Sequence, residues 1–281
     1  MLGEVLDVLQ PQKGESLLDL TAGFGGHSRR ILEQTGEYEE SVLVDRDQVA
    51  IDSLSDLAAK GATLLHMDFL TAVSAFFVEK RRFDMILADL GVSSPQLDES
   101  ERGFSFMYEG DLDMRMDQTQ GTTAKTIINS YSERDLAELF VKYGEVKRGL
   151  AAKVAREITH ARPFSTTKQL ADLIKAHTPY SRHHPATRFF QALRIEVNDE
   201  LGLLEKVLPM LPDLLNPRGR LCVITFHSLE DRIVKSWLQD EAGKGLESRL
   251  IVSKQLHTSG VSELENNPRA RSAKLRFAAR V

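Results

Sequence analysis

Between Ser16 and Leu90 short apolar runs alternate with stretches of helical period. "SLLDL" from Ser16, "SVLVD" from Ser41, "ATLLHM" from Ala62 and "FDMILADL" from Phe83 have the length and near-continuous apolarity of strands buried on both faces. "HSRRILEQ", "DQVAIDSLSDLAAK" and "FLTAVSAFFVEK" lie between them and read as helices. Strands buried on both faces need helices to cover them. The alternation therefore restricts this part of the chain to parallel βαβ units of an α/β fold.

The rhythm stops at Gly91. The stretch from there to Thr123 is rich in Gly, Ser, Asp and Glu and reads as a long functional loop. Only helical signals follow: "SERDLAELFVKYG", "GLAAKVAREITHA" and "TTKQLADLIKAH". Ser132 with Asp135, and Thr166 with Gln169, have the spacing of N-terminal caps. After Pro185 a long helix is expected, with Phe189, Leu193, Val197, Leu201, Leu204 and Leu208 as its buried stripe. Strand signals return in "GRLCVITF" from Gly219, "SRLIVS" and "AKLRFAARV". Ser228, with Asp231 at the capping-box position, is expected to start the helix between the first two. The pattern predicts a discontinuous sheet domain, residues 1–116 and 185–281, interrupted by an all-helical domain over 117–184.

The single cysteine, Cys222, excludes an internal disulfide and a Cys-based zinc site. With no basic-then-apolar leader at Met1 and no run of membrane-span length, the expectation is a cytoplasmic protein with no membrane part. Oligomeric state is not legible. Net charge is −5, yet Lys147–Arg194 holds ten Lys/Arg against two acids, and Pro268–Val281 five against none. A basic region on an acidic body suits a polyanionic partner, because the local field outweighs the total.

"DLTAGFGGHSRR", Asp19 to Arg30, is the strand-to-helix turn with the most chemistry. Glycines there let backbone amides face a ligand. Gly23 and Gly25 match the first two positions of the dinucleotide pattern, but Ser28 stands at the third. The acid before the glycines is more like an S-adenosylmethionine loop, where it helps place the amino-acid end of the cofactor. Asp45, ending the second strand, suits ribose hydroxyls of either cofactor. Met67–Phe69 ends the third strand, on the expected adenine side, and Asp89 ends the fourth. S-adenosylmethionine is favoured over NAD, and both stay open on pattern alone.

Elsewhere the readings divide. The acids of "DLDMRMD", Asp111–Asp117, suggest a metal loop, but the intervening Met114, Arg115 and Met116 favour a substrate-facing loop. No metal is expected: His183 and His184 are adjacent and do not converge on one ion. Arg188, Gln191, Arg194 and Asn198 form a polar stripe opposite the buried one; a solvated face is the plain reading, and the basic helices before it favour RNA contact. His227 either lines a pocket or packs at a strand end, and Cys222 reads as a buried structural thiol.

Long segments then carry a resemblance. "DLTAGFGGHSRRIL", "LVDRDQVAI", "DLGVSSPQLDESERGFSFMYEGDLDMRMD", "HPATRFFQALRIEVNDEL", "GRLCVITFHSLEDRIVK" and "NPRARSAKLR" resemble, in order, the bacterial 16S ribosomal RNA cytosine-N4 methyltransferases. The resemblance implies a class I methyltransferase sheet of Rossmann type with an inserted helical substrate-recognition domain. It implies S-adenosylmethionine as cofactor and a decoding-centre cytosine of the small ribosomal subunit as substrate. Its cofactor loop falls on Gly25, Gly26 and His27, its ribose acid on Asp45, its adenine-side contact on Phe69, and two further cofactor contacts on Asp89 and Gln96. Family members usually have a short apolar-containing segment before the position of Met1. The usual strand-four Asp/Asn-Pro-Pro-aromatic motif of amino-methyltransferases is replaced by "DLGVSSPQ", which leaves Asp89 or a carbonyl of Leu90–Val92 as the expected proton acceptor. Three other classes compete: a nicotinamide oxidoreductase, a cofactor-free RNA-binding factor and a small-molecule methylase.

Overall fold

The computed structural model describes residues 1–180 and 184–281. His183 therefore lies outside the described residues. The chain divides into two compact units, Met1–Gly91 with Leu201–Val281, and Val92–Glu200.

The first unit is built on one eight-stranded sheet: β1 Leu17–Asp19, β2 Val42–Asp45, β3 Thr63–His66, β4 Phe83–Asp89, β5 Leu215–Thr225, β6 Leu250–Val252, β7 His257–Thr258 and β8 Lys274–Arg280. Its order is β3-β2-β1-β4-β5-β8-β6, with β7 paired to β8. Strands β1 to β5 run parallel, while β8 runs antiparallel to β5 and β6. The central strands β1, β2 and β4 are mostly apolar because both faces are covered. Leu18, Val42, Val44, Ile86 and Val223 join one layer with Val73, Leu211 and Val234. Leu17, Leu43, Met85, Leu87 and Cys222 join the other with Val5, Leu9, Ile31 and Leu32. Adjacent residues thus fall in opposite layers, as the strand period of two requires. The α/β class and the doubly wound order agree with the alternation in the sequence.

Three helical expectations change. "DQVAIDSLSDLAAK" forms two short helices, Gln48–Asp52 and Ser55–Ala58. Asp47 starts the first by accepting from the Val49 amide (3.1 Å). The helix after Pro185 stops at Asn198: Asp199 takes a left-handed conformation, φ 47°, and a new helix begins at Glu200. The helix Ser228–Gly243 is capped by His227, not Ser228. Its Nδ1 accepts from the Glu230 amide (3.3 Å), and Glu230 holds the capping-box position expected of Asp231. Asp231 instead binds Lys274 Nζ and Arg276 Nε, each at 2.8 Å.

The second unit is helical, with Ala124–Ser130, Glu133–Gly144, Arg148–Ala161, Thr167–His177 and Ala186–Asn198 as its main helices. The caps at Ser132 and Thr166 form as expected. Its core gathers Leu136, Phe140, Val154, Ile158, Ile174, Phe189 and Leu193, and also Phe104, Leu112, Met114 and Met116. The division therefore falls at 91/92 and 200/201, where 116/117 and 184/185 were expected. The presumed loop brings its own apolar side chains into the helical core, and the helix Ala186–Asn198 buries its stripe there too. Within the loop, Arg102 is 5% exposed, and its Nη2 donates to the carbonyls of Met116 (3.0 Å) and Arg115 (3.3 Å).

Candidate active site

Strand order reverses at β1, which lies between β2 and β4. In open α/β sheets, ligands bind beyond the carboxyl ends of the strands at such a point. Three acids end strands there: Asp19 on β1, Asp45 on β2 and Asp89 on β4. Beyond β1 the backbone stays held on both sides. The Leu20 amide donates to Leu87 O and the Ala22 amide to Val44 O, each at 2.9 Å. The chain then turns through Gly23 (φ 51°) and Gly25 (φ 80°), a left-handed backbone that favours glycine. A side chain on Gly25 would also meet Leu54, 2.7 Å from its Cδ2, whereas one on Gly26 would project into open space.

The acids take different roles. Asp19 is 1% exposed and turned inward, accepting from the Thr21 amide (3.1 Å) and from Ser28 Oγ. Burial pushes its carboxyl up to about 6, against those bonds and the nearby His27. It braces the turn from below. With 1% exposure its carboxylate faces the turn and not the surface.

Asp45 accepts from the Gly23 amide (2.7 Å) through Oδ2 and from the Asp47 amide (2.9 Å) through Oδ1. Burial raises its carboxyl above the usual range against those two amides. It thereby ties the glycine turn to the end of β2. Asp89 is fixed through its backbone amide, which donates to Thr21 Oγ1 at 2.6 Å. Its Oδ2 lies 3.4 Å from His27 Nε2. His27 Nδ1 and Asp89 Oδ1 are buried with no partner among the described residues. Burial draws the His27 imidazole down, but the hydrogen bond and charge of Asp89, with the charge of Asp19, outweigh it and raise it net.

In "MDF", Met67 and Phe69 are half-buried against the layer that contains Val73. Asp68 between them caps the helix Phe69–Glu79, accepting from the Thr71 amide (3.0 Å). His227 is engaged as a helix cap, with Nε2 3.1 Å from Glu230 Oε1. Cys222 is fully buried in β5, where burial pushes its thiol well above the ordinary value.

The remaining expected site residues belong to the helical unit. Gln96 is buried in the short helix Ser94–Asp98, its Oε1 accepting from the Ser93 amide (2.9 Å) in a capping box. Arg115 pairs in two-pronged fashion with Asp113, Nε–Oδ1 2.7 Å and Nη2–Oδ2 2.9 Å. Arg194 does the same with Glu200, both contacts 2.8 Å. Gln191 Nε2 donates to Tyr143 O (3.0 Å) and Arg188 Nη1 to Glu145 O (3.2 Å). Asn198 departs both from the expected RNA contact and from a solvated face. It is 7% exposed, accepts from the Met116 amide (2.9 Å) and donates to Met114 O (2.8 Å) and Arg194 O (2.9 Å). Of the stripe, only Arg188 is exposed.

Two contributors escaped the sequence reading. Thr21, between strand and glycines, anchors Asp89, and Ser28 anchors Asp19. Ser28 was taken only as a missing glycine. The signal that identifies it is a hydroxyl at the first helical position, nine residues after a buried strand-end acid.

The α/β site suits a nucleoside that carries a positive centre. Asp45 offers a carboxylate braced by two amides, Asp89 Oδ1 has no partner among the described residues, and the open side of Gly26 leaves room above the turn. Comparison with known proteins bears on which nucleoside. The model of the MraW methylase family matches residues 1–281. Curated relatives named ribosomal RNA small subunit methyltransferase H match nearly end to end. The Synechocystis protein is 44% identical over 99% of this chain and 91% of its own. The Gloeothece citriformis protein is 46% identical over 99% and 91%, and the Rippkaea orientalis protein 48% over 95% and 86%. The chain belongs to the MraW methylase family and is a methyltransferase that uses S-adenosylmethionine as its methyl donor.

Proposed function

We propose that this enzyme methylates the exocyclic N4 of a decoding-centre cytosine in 16S ribosomal RNA, acting on the small ribosomal subunit. The observation that carries the reading is the end-to-end identity, 44% over 99% of the chain, with a protein named ribosomal RNA small subunit methyltransferase H. The finer choice of cytosine N4 rests on the long segments quoted above, above all "DLGVSSPQLDESERGFSFMYEGDLDMRMD".

S-adenosylmethionine, when bound, supplies a methyl group made electrophilic by its sulfonium. Gly25, Gly26 and the His27 backbone would cradle it, Asp45 would hold the ribose and Phe69 the adenine side, with Asp89 as a further contact. The cytosine amine is a weak nucleophile because its lone pair is shared with the ring. The protein's task is to align N4 with the methyl carbon and to accept the N4 proton. Asp89 is the acceptor in this reading, through the buried Oδ1 that has no partner among the described residues. A covalent route through Cys222 is disfavoured, since the thiol is buried and its ionisation suppressed.

Phosphate contact belongs to exposed cations of the helical unit. Arg188 is the member of the stripe still available at the surface, together with Lys147, Arg148 and Lys153 at the start of the helix Arg148–Ala161. Arg115 and Arg194, locked to carboxylates, orient loops more than they bind phosphate. The test is transfer of labelled methyl from S-adenosylmethionine to small subunits lacking the modification, beside naked 16S RNA, with nucleoside analysis. The expected product is N4-methylcytidine, with the assembled particle as the better substrate. Another methylated nucleoside would overturn the N4 assignment.

A further inference from the structure

We propose that His27 is a positioning residue: it anchors one oxygen of Asp89 and leaves the other to take the proton released from the substrate amine. The inference rests on Asp89 as acceptor in the reading above and adds the group that makes it one.

The geometry is specific to this pair. Asp89 sits at the end of β4, its amide held by Thr21 Oγ1 at 2.6 Å, so its backbone cannot drift. His27 sits immediately before the helix Ser28–Thr35, at the end of the glycine turn. The two side chains meet across the switch point, Nε2 to Oδ2, at 3.4 Å. That contact assigns Oδ2 to the imidazole. Oδ1 then remains buried with no partner among the described residues, and so does His27 Nδ1. A buried carboxylate oxygen without a donor is costly to keep. It is the natural place for an N–H to arrive.

The charges around the imidazole favour the same arrangement. Asp89 from β4 and Asp19 from β1 face it as anions, and the Met1 amino group of the first helix opposes them while held by Glu263 at 3.0 Å. The net effect keeps His27 protonated to higher pH than an ordinary histidine.

In the methyl transfer, the N4 lone pair forms the new N–C bond. The C–S bond breaks with its electron pair going to sulfur, and positive charge passes to N4. One N4 proton then moves to Asp89 Oδ1 and on to solvent. No other reactant is required.

The experiment uses the full chain at saturating S-adenosylmethionine in single turnovers on unmodified small subunits. S-adenosylmethionine affinity is measured separately by calorimetry. His27→Ala is expected to lower the transfer rate about 10- to 100-fold, with RNA affinity unchanged. His27→Gln, which keeps a donor toward Oδ2, is expected to recover most of that rate. His27→Ala combined with Asp89→Asn is expected to be no slower than Asp89→Asn alone. In NMR titration of the ligand-free protein, Asp89→Asn lowers the pH at which His27 loses its proton.

If His27→Ala loses only cofactor affinity and regains the full rate at saturation, His27 is a cofactor contact and the proposal falls. It falls equally if Asp89→Asn leaves the His27 titration unmoved. The NMR readout needs neither RNA nor turnover. If the wild type methylated no ribosomal RNA yet His27 still responded to Asp89→Asn, the substrate reading alone would fail.

Discussion

The α/β unit and the helical unit use their polar side chains in opposite ways. At the strand ends of the α/β unit, carboxylates are braced by backbone but keep acceptor capacity. Asp45 takes two amides, and Asp89 is fixed through its own amide with Oδ1 unmatched. In the helical unit, polar side chains turn inward. Asn198 ties Met114 and Met116 to its helix, Arg102 holds two carbonyls, and Arg194 closes on both oxygens of Glu200. A parallel sheet positions its strand ends largely through the ladder, so Asp45 and Asp89 keep acceptor capacity there. A bundle of short helices that folds a long segment into its core has many backbone groups to satisfy, and its polar side chains are the means.

The comparison breaks first at Asp89. Asp89→Ala is expected to lower turnover at saturating cofactor by at least about 100-fold while changing folding stability little. A drop smaller than about fivefold would remove it from proton transfer and leave the strand ends no more available than the helical stripe. Asn198→Ala is expected to cost on the order of 3 kcal/mol, because the Met116 amide and Met114 carbonyl are left buried and unpaired. Chemical denaturation measures it. A loss under about 0.5 kcal/mol, joined to weaker RNA binding, would restore Asn198 to the surface role first expected of it.

Asp19 sharpens the contrast through pH. Its folded value of about 6 lies above the ordinary 3.8, so the folded state binds the proton more tightly. The stability that Asp19 contributes is therefore complete below pH 3.8 and is lost as pH rises through about 6. Relative to Asp19→Asn, the wild type should lose on the order of 2 kcal/mol across that window. Parallel denaturation curves at its two ends would show that Asp19 is not buried as described. Arg188→Ala is the mildest change. It should leave stability within about 0.5 kcal/mol, weaken RNA binding and reduce the salt slope of binding by about 1.

Legibility followed the same division. β1 to β4 and the acids that end them could be read because period and length locate a strand end to within a residue or two, and the topology then places it. The breaks at Asn198 and at Ser53–Leu54 could not. Nothing local distinguishes Asn198 from a solvated helix residue, since the groups that capture it lie more than eighty positions away in the chain. Arg115 and Arg194 looked like phosphate ligands because their carboxylate partners, though near in sequence, depend on loop conformation. Gln96 was carried by resemblance alone, although "SSPQ" holds the Ser-x-x-Gln spacing of a capping box. Phe104, Leu112, Met114 and Met116 were passed over because a stretch so rich in Gly, Ser and acids hides the apolar residues spaced through it.

The glycine turn is fastened at several points by the protein itself: Asp45 on the Gly23 amide, Val44 O on the Ala22 amide, and Asp19 on Thr21 and Ser28. A loop already held in this way does not have to be ordered when the cofactor arrives. The entropic cost that a floppy phosphate- or nucleoside-binding loop adds to each encounter was met when the chain folded. Association should then follow a single kinetic phase, limited by diffusion into the site and not by loop rearrangement, and the Gly23 amide should exchange its hydrogen slowly even in the ligand-free enzyme.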